Sequence, residues 1–173
     1  ITFPSPVVDD HAVRLIKVPN GIYDRGKSRT NRIEAEVVVG GAVSRMKAWL
    51  ALPEKDRPTL GVITFNSQQQ SLILDLLDAA RRDSPDLEWF FSDDRVEPTI
   101  VKNLENVQGD ERDFILFSIT FWKDAAGKLA MDFGALNRDG GERRLNVAVT
   151  RARQELLVFS GFTADQIDPT RTK

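Results

Sequence analysis

Short apolar runs alternate with amphipathic segments along most of this chain, and this alternation is the feature that most constrains its fold. Strand and helix patterns in alternation predict an α/β domain, with a mostly parallel sheet sandwiched by helices. In such sheets ligands sit beyond the carboxyl ends of the strands. The predicted strands are residues 13–18, 59–65, 87–92, 99–104, 114–122 and 156–162, and the predicted helices are residues 31–52, 67–83 and 142–154.

Capping residues mark the starts of two predicted helices. Asn31 with Glu34 three residues later is a capping-box pattern, and Ser67 is the predicted cap of the second helix. The pair Gly40-Gly41 lowers the helix propensity of the first of these segments, because each glycine costs about 1 kcal/mol in a helix interior. The aromatic run 89–91 is more typical of a core than of a surface that stacks bases.

The slightly negative net charge excludes a protein that binds nucleic acid through a large overall positive charge. The 173 residues carry 24 Lys and Arg against 26 Asp and Glu, a net charge of −2. Any contact with nucleic acid is therefore local or shared with a partner domain. The chain has no cysteine and only His11, which we expect in a solvated turn, so we expect no metal site. The missing cysteines fit a cytoplasmic protein, and no apolar run approaches the roughly 20 residues of a membrane span.

The stretch GIYDRGKS, residues 21–28, matches the phosphate-loop pattern G-x-x-x-x-G-K-[ST]. A working phosphate loop starts a helix at its Lys-Ser, whereas the cap signal here lies later, at Asn31. The chain also lacks an acidic residue at the end of an apolar strand that would hold Mg²⁺. We interpret the stretch as a polar loop. A stand-alone phosphate-loop kinase or other NTPase that uses Gly21–Ser28 stays open as an alternative.

Two later stretches carry a resemblance to a known family. ENVQGDERDFILFS (105–118) and GGERRLNVAVTRARQELLVFSG (140–161) resemble motifs V and VI of superfamily 1 helicases, in the second RecA-like domain of the branch that contains RNA-surveillance and Dna2-type helicases. GVITFNSQQQ (61–70) resembles motif IV, and NRIEA (31–35) resembles the opening of an early helix. Motif V covers residues 103–113 and motif VI residues 142–153. The sequences of these motifs most resemble the helicase segment of large bacterial multidomain proteins.

The resemblance implies a RecA-like P-loop NTPase fold for one domain over residues 1–173, as a fragment of a larger protein. The implied function is the C-terminal motor domain of an ATP-dependent DNA or RNA helicase. ATP and Mg²⁺ would be held by a first RecA-like domain of the same polypeptide. We expect the isolated chain to be inactive. The implied partner is single-stranded nucleic acid, DNA more than RNA. A non-catalytic module that binds nucleic acid is the other alternative.

The resemblance also assigns roles to single residues. Arg151 would be the arginine finger, a role worth about 10³ to 10⁵ in rate. We expect its side chain at the carboxyl-end rim of the sheet. Arg144 would be a second catalytic cation two helical turns earlier on the same face, while Arg143 and Arg153 would form supporting ion pairs, with Arg153 on the same helix. The predicted ATP contacts are Glu111 on the ribose, Gly109 and Gln108, and the predicted nucleic-acid contacts are Asn66, Ser67 and Asn103.

Overall fold

Five parallel strands form the centre of the structure, a computed structural model that describes residues 12–129 and 132–166. The strands lie in the order β1-β5-β4-β2-β3, and each neighbouring pair is parallel. The strands are β1 (Val13–Lys17), β2 (Leu60–Thr64), β3 (Ile100–Asn103), β4 (Arg112–Ser118) and β5 (Ala152–Ser160), and the helices are α1 (Arg32–Trp49), α2 (Ser67–Asp83) and α3 (Gly141–Val149).

The sheet confirms the predicted α/β class, with the mostly parallel sheet between helices expected of a RecA-like domain. Parallel strands need crossover connections, and α1, α2 and α3 lie within them. Because all strands run the same way, the sheet has two functionally distinct rims. We call the rim at the strand starts the amino edge and the rim at the strand ends the carboxyl edge.

Apolar side chains on the two faces of the sheet build two cores. One core joins α1 and α2 to the sheet through Val38, Ala42, Met46, Ile73, Leu77, Leu116 and Phe159. The other lies on the opposite face, around Phe65, Phe117, Phe121, Trp122, Phe133, Ala148 and Leu156. Burying a large apolar side chain is worth about 1.5–3 kcal/mol, so these clusters fix the sheet on which both edges depend.

Two local predictions in the first half of the chain are wrong. Residues 87–92 do not form a strand, because Pro85–Phe90 is a 3₁₀-helix that buries Leu87 and Phe90 three residues apart. The cap of α2 is Asn66 and not Ser67, since the Asn66 side chain accepts the Gln69 amide. The first helix, in contrast, is continuous through its two glycines, because the packing of its buried face outweighs their low propensity.

The predicted last helix ends five residues early. It extends only to Val149, where the Thr150 hydroxyl bonds to the carbonyls of Asn146 and Val147. The next strand then begins at Ala152, four residues before its predicted start. Arg151 is therefore in the turn between α3 and β5, and Arg153 is on β5. The prediction that both lie on one helix with Arg144 is wrong.

Some predictions fall outside the described residues, among them the solvated turn around His11. Within the described residues, no helix is long and apolar enough to cross a membrane.

Candidate functional site

Arg151 lies at the amino edge, in the short turn that joins α3 to β5. Its amide donates to Ala148 O at 3.2 Å, and its carbonyl accepts the Arg112 amide at 3.1 Å. The backbone of Arg151 is therefore held between the end of a helix and the first residue of β4. The helix ends at Val149 before Thr150, and β5 begins at Ala152, directly after Arg151.

The Arg151 side chain faces Glu111, the residue that directly precedes β4. Arg151 Nη1 and Glu111 Oε1 are 3.5 Å apart, with 19% and 50% of the two side chains exposed. Arg151 Nε donates to Val147 O at 2.9 Å, and Nη2 donates to Thr150 Oγ1 at 3.1 Å. The guanidinium is thus oriented by the end of α3 and still reachable from solvent. The fold brings together two residues that were predicted from separate motifs.

The expected location of Arg151 at the carboxyl-end rim is wrong. Arg112 of β4 is paired with Ala152 of β5, so the residues before them, Glu111 and Arg151, lie at the strand starts. The side chain is not buried inside the fold, but the carboxyl-edge rule for ligands gives no support to a nucleotide contact by Arg151. Support for such a contact has to come from the Arg151–Glu111 pair itself.

The loop between β3 and β4 carries the other predicted ATP contacts. Gly109 has φ +89°, in the left-handed region that glycine enters at little cost. Gln108 is exposed. Lys102 and Asp110 form a loose ion pair of 3.9 Å across the loop. The loop descends from the carboxyl end of β3 to the amino end of β4, and Glu111 is its last residue.

Arg144 lies in the first half of α3 and is not next to Arg151. Its guanidinium Nη1 donates to Asp139 O at 3.2 Å. The helix rises about 1.5 Å per residue, so Arg144 is about 8 Å along the axis from the end of α3 at Val149. The structure does not bring the two predicted catalytic arginines together.

Arg153 forms the ion pairs that were predicted for it, in a network at the amino edge. It reaches Glu97 at 2.5 Å and Asp113 at 3.1 Å, and it also donates to Thr59 Oγ1. The Arg153 hydrogen bond lowers the pKa of Glu97. Burial raises the pKa of Asp113, but hydrogen bonds from Thr59 and Arg153 outweigh burial and lower it overall. The network joins the starts of β2, β4 and β5 and the chain before β3, so it has a structural role beside the Arg151–Glu111 pair.

Two of the three predicted nucleic-acid contacts are committed to internal bonds at the carboxyl edge. The Asn66 side chain accepts the Gln69 amide and donates to Arg29 O at 3.0 Å. Asn103 is 6% exposed; its side chain donates to Gln70 Oε1 and accepts the Glu105 amide. Ser67 is exposed at the start of α2. Of the three side chains, Ser67 is the exposed one, while Asn66 is half-buried and Asn103 is buried.

A buried polar network under the carboxyl edge was missed from the sequence. The Glu34 carboxylate accepts from Ser118 Oγ at 2.6 Å and from the Thr120 amide at 2.7 Å. Burial raises the pKa of Glu34 to about 7, against the opposing effect of the two hydrogen bonds. Gln69 also lies fully buried and bonds to Asn31 and Ser118. Only half of the predicted capping box forms, because the Glu34 amide donates to Asn31 Oδ1 while its carboxylate bonds to β4.

The phosphate-loop match at residues 21–28 folds back on itself. Asp24 Oδ2 accepts from the Ser28 amide at 3.0 Å and from the Ser28 hydroxyl at 2.8 Å. These are the groups that a phosphate loop offers to a nucleotide and to Mg²⁺. The next helix begins only at Arg32. This geometry favours the interpretation of the stretch as a polar loop.

The described residues contain no group of three or more His, Cys, Asp or Glu side chains that could hold a metal ion. The acidic residues at the amino edge are instead paired with arginines, as Glu111 is with Arg151. The donor set of this part of the chain therefore does not fit a Mg²⁺ site.

Comparison with known families gives a match over most of the chain. The family model described as an AAA domain matches residues 10–161. That range includes both edges described above and every residue predicted to act in the site.

Two curated relatives carry helicase names. The uncharacterized ATP-dependent helicase MG140 of Mycoplasma genitalium is 43% identical over 107 residues, which are 60% of this chain and 9% of that protein. Its homolog in Mycoplasma pneumoniae is also 43% identical, over 108 residues, 58% of this chain and 9% of that protein. The chain thus corresponds to about a tenth of the length of these relatives.

Among solved structures, the C-terminal domain of a possible DNA helicase from Lactobacillus plantarum WCFS1 matches with a TM-score of 0.44 and 15% identity, over 88% of this chain and 74% of that one. The family model and the relatives confirm the resemblance to helicase motor domains. The narrower branch stays a prediction.

Proposed function

The chain belongs to the AAA domain family, and from this premise we propose that it is the C-terminal motor domain of an ATP-dependent helicase. In this proposal a first RecA-like domain of the same polypeptide holds ATP and Mg²⁺, and this chain completes the nucleotide site. The chain also forms part of the track for a single strand, DNA rather than RNA. The 43% identity to two proteins with helicase names supports the proposal.

Arg151 is the residue that we propose acts on the nucleotide. A guanidinium is permanently charged, and its forked donors match the oxygens of a γ-phosphate on which charge develops. Val147 O and Thr150 Oγ1 already orient the Arg151 guanidinium. Orientation before the reaction is what makes such a charge effective, because no reorganisation is needed in the transition state. The observation that carries the proposal is that Arg151 and Glu111, which come from separate motifs, lie side by side at one partly exposed edge of the sheet.

Glu111 would accept hydrogen bonds from the ATP ribose, as an acceptor-only carboxylate can. The ribose and the γ-phosphate lie at opposite ends of the triphosphate, so the Arg151–Glu111 pair must separate when both residues act. The pair is loose enough for this, since the charged atoms are 3.5 Å apart and half of the Glu111 side chain is exposed. Gly109 and Gln108 would shape the loop that leads to Glu111. Arg144 stays a prediction as a second cation.

The test is the substitution Arg151→Ala in the longer protein in which this domain would operate. We expect kcat for ATP hydrolysis to fall by about 10³ to 10⁵ while ATP binding is largely kept, since the lost interaction is strongest in the transition state. Steady-state ATPase kinetics and nucleotide binding to the same variant measure the two effects separately.

Arg32→Ala is the matched control for this test. It removes the same charge and an exposed ion pair with Glu36, but at the start of α1 on the opposite edge. ATP turnover should be unchanged in this variant. Near-normal kcat in Arg151→Ala would remove Arg151 from the nucleotide site and leave the Arg151–Glu111 pair as a structural contact.

A further inference from the structure

The loop after β1 is a rigid, closed unit at the carboxyl edge. The Asp24 amide donates to Thr30 O and the Arg29 amide donates to Asp24 O, which closes the loop, and the Tyr23 amide ties it to Lys123 O in the segment after β4. The Ser28 hydroxyl is shared between Asp24 and Thr30. The polar groups of the loop backbone are therefore largely used internally, and its side chains are what it offers to a partner.

Three cations stand at alternate positions on this loop. Arg25, Lys27 and Arg29 are all exposed. Arg25 has a loose ion pair with Asp124 at 3.8 Å, and within the described ranges neither Lys27 nor Arg29 forms a salt bridge. Asp24, the acid within the loop, is already bonded to Ser28. The chain has a net negative charge, so the local excess of positive charge on this loop does not reflect the whole surface.

A cavity of about 210 Å³ opens beside two of these cations. It is lined by Arg25, Arg29, Asp132 and Gly134, and by the aromatic side chains of Tyr23 and Phe121. The two rings pack edge to face at 4.9 Å and are 3% and 5% exposed, so they form a rigid apolar base. Asp132 accepts the Gly134 amide in a local turn. Asp132 is engaged in this turn and Arg25 is only loosely paired with Asp124, so the two arginines make this cavity suited to an anion.

The loop is hydrogen-bonded to the start of α2, where a contact with a nucleic-acid strand was predicted. Asn66, a residue predicted to touch nucleic acid, donates from Nδ2 to Arg29 O. Arg29 has φ +58°, an unfavourable value for any residue except glycine. The backbone of this position thus favours glycine, and within the described residues the Arg29 side chain forms no salt bridge or hydrogen bond. The cations of the loop thus lie at the same edge as Asn66 and Asn103, whose side chains bond internally.

We propose that Arg25, Lys27 and Arg29 bind the phosphodiester backbone of a nucleic-acid single strand, with Arg25 and Arg29 holding one phosphate at the mouth of the cavity. This site rests on the proposed function, since it places part of the strand track on the carboxyl edge. The stretch that matches a phosphate loop would then contact phosphates of nucleic acid and not those of ATP. Contacts of this kind position a strand without reading its sequence.

Arg29→Gly is the most informative substitution. It removes the cation and relaxes the strained backbone, so a purely structural role predicts unchanged or higher stability and unchanged binding. We expect the melting temperature to hold and the affinity of the 173-residue chain for a fluorescein-labelled oligothymidylate to fall about 3- to 10-fold at low salt. The slope of log K against log salt should become shallower by about 0.7, the value for one lost phosphate contact with a single strand.

Arg25→Ala and Lys27→Ala should have effects of the same size, and Arg29→Lys should keep the salt slope. The matched control is Arg82→Ala, an exposed cation in the last turn of α2 at the other edge of the sheet. It should change neither the affinity nor the slope.

The outcomes separate this site from the proposed function. Binding by the unchanged chain, with no loss in Arg29→Gly or Arg25→Ala, overturns this site and leaves the helicase proposal standing. If the unchanged chain shows no salt-dependent binding of the oligothymidylate, both this site and the proposed contact of the domain with single-stranded nucleic acid are overturned. Competition of ATP with the oligonucleotide, lost in Lys27→Ala, would assign the loop to a nucleotide and overturn the proposal.

Discussion

Glu34 is the most unusual single residue in the structure. Its carboxyl group is fully buried, and the side chains that bond to it or to its amide, Ser118 and Asn31, are uncharged. Burial raises its pKa to about 7, because the lost hydration outweighs the hydrogen bonds from Ser118 and Thr120. Among the residues that the structure describes, one carboxylate oxygen of Glu34, Oε2, has no hydrogen-bond partner. Between its ordinary pKa and about pH 7, Glu34 is therefore protonated in the folded state and ionised in the unfolded state.

The stability of the chain should fall as pH rises from about 4.5 to about 7. In this window the folded state keeps a proton on Glu34 that the unfolded state releases, so the free energy of unfolding decreases with pH. The shift from 4.5 to about 7 corresponds to about 3 kcal/mol. Chemical denaturation at a series of pH values measures the loss.

Glu34→Gln isolates this effect, since glutamine keeps the acceptor for Ser118 and Thr120 and cannot ionise. Its stability should be nearly flat over the same pH window. The acids whose pKa is lowered by arginine or backbone hydrogen bonds, such as Glu97 and Asp113, lose their contribution only at lower pH. An equal pH dependence in the unchanged chain and in Glu34→Gln would contradict a neutral, buried Glu34.

At the scale of elements, the end of α3 decides where Arg151 lies. The helix start is fixed by a close approach, since a Cβ on Gly141 would be 2.1 Å from Leu136 O in the 3₁₀-helix Gly134–Asn137. The other end is fixed by Thr150, whose hydroxyl bonds back to the helix. Arg151 follows this helix directly, so the geometry of α3 is also the geometry of the candidate site.

Gly141→Ala should destabilise the chain by about 3 kcal/mol, because the clash is with backbone and no side chain can move to relieve it. Thermal unfolding should show a decrease of about 6–12 °C. The matched control is Gly40→Ala within α1, where a Cβ meets nothing within 4 Å. Alanine there should raise stability by about 1 kcal/mol. Equal effects of the two substitutions would show that α3 does not pack as described.

Elements with a strong apolar period were predictable from the sequence, and their ends were not. The strands in 59–65 and 99–104 and both long helices lie where the pattern places them. The end of α3 was missed because the Thr150 hydroxyl competes with the helix, and this depends on local hydrogen bonds that periodicity does not report. The aromatic residues in 87–92 predicted a strand. The two buried residues, Leu87 and Phe90, are three positions apart, and this spacing suits a 3₁₀-helix.

Motif patterns singled out the residues of the candidate site, but they did not predict where those residues lie in the fold. Motif patterns identified Arg151 and Glu111, and the fold brings them into contact. Their location on the amino edge depends on the register between β4 and β5, which is a long-range property. Asn66 and Asn103 were singled out by position, but their partners Arg29 and Gln70 come from distant segments. The spacing of residues does not show whether a polar side chain is already used internally.

At the scale of the whole molecule, the proposed contacts with the nucleotide and with single-stranded nucleic acid lie on opposite edges of one sheet. β4 has seven residues, so the sheet separates the Arg151–Glu111 pair from the loop at 21–30 by about 20 Å or more. Side-chain changes at one edge should therefore not alter the other through direct contact. Coupling between ATP and a bound nucleic-acid strand would require movement of this domain as a rigid body against its partner domain.

The purified chain alone should bind single strands yet hydrolyse ATP at no more than a background rate. Hydrolysis needs Mg²⁺ ligands and a cradle for the phosphates; the described residues offer no metal cluster, and Asp24 occupies the amide and hydroxyl of Ser28. A guanidinium such as Arg151 adds to an assembled site and cannot replace it. Release of inorganic phosphate by the chain, with and without oligothymidylate, measures this. Robust turnover that disappears in Lys27→Ala would mean that the loop opens and holds ATP, and the stand-alone phosphate-loop enzyme would then be the better description of this chain.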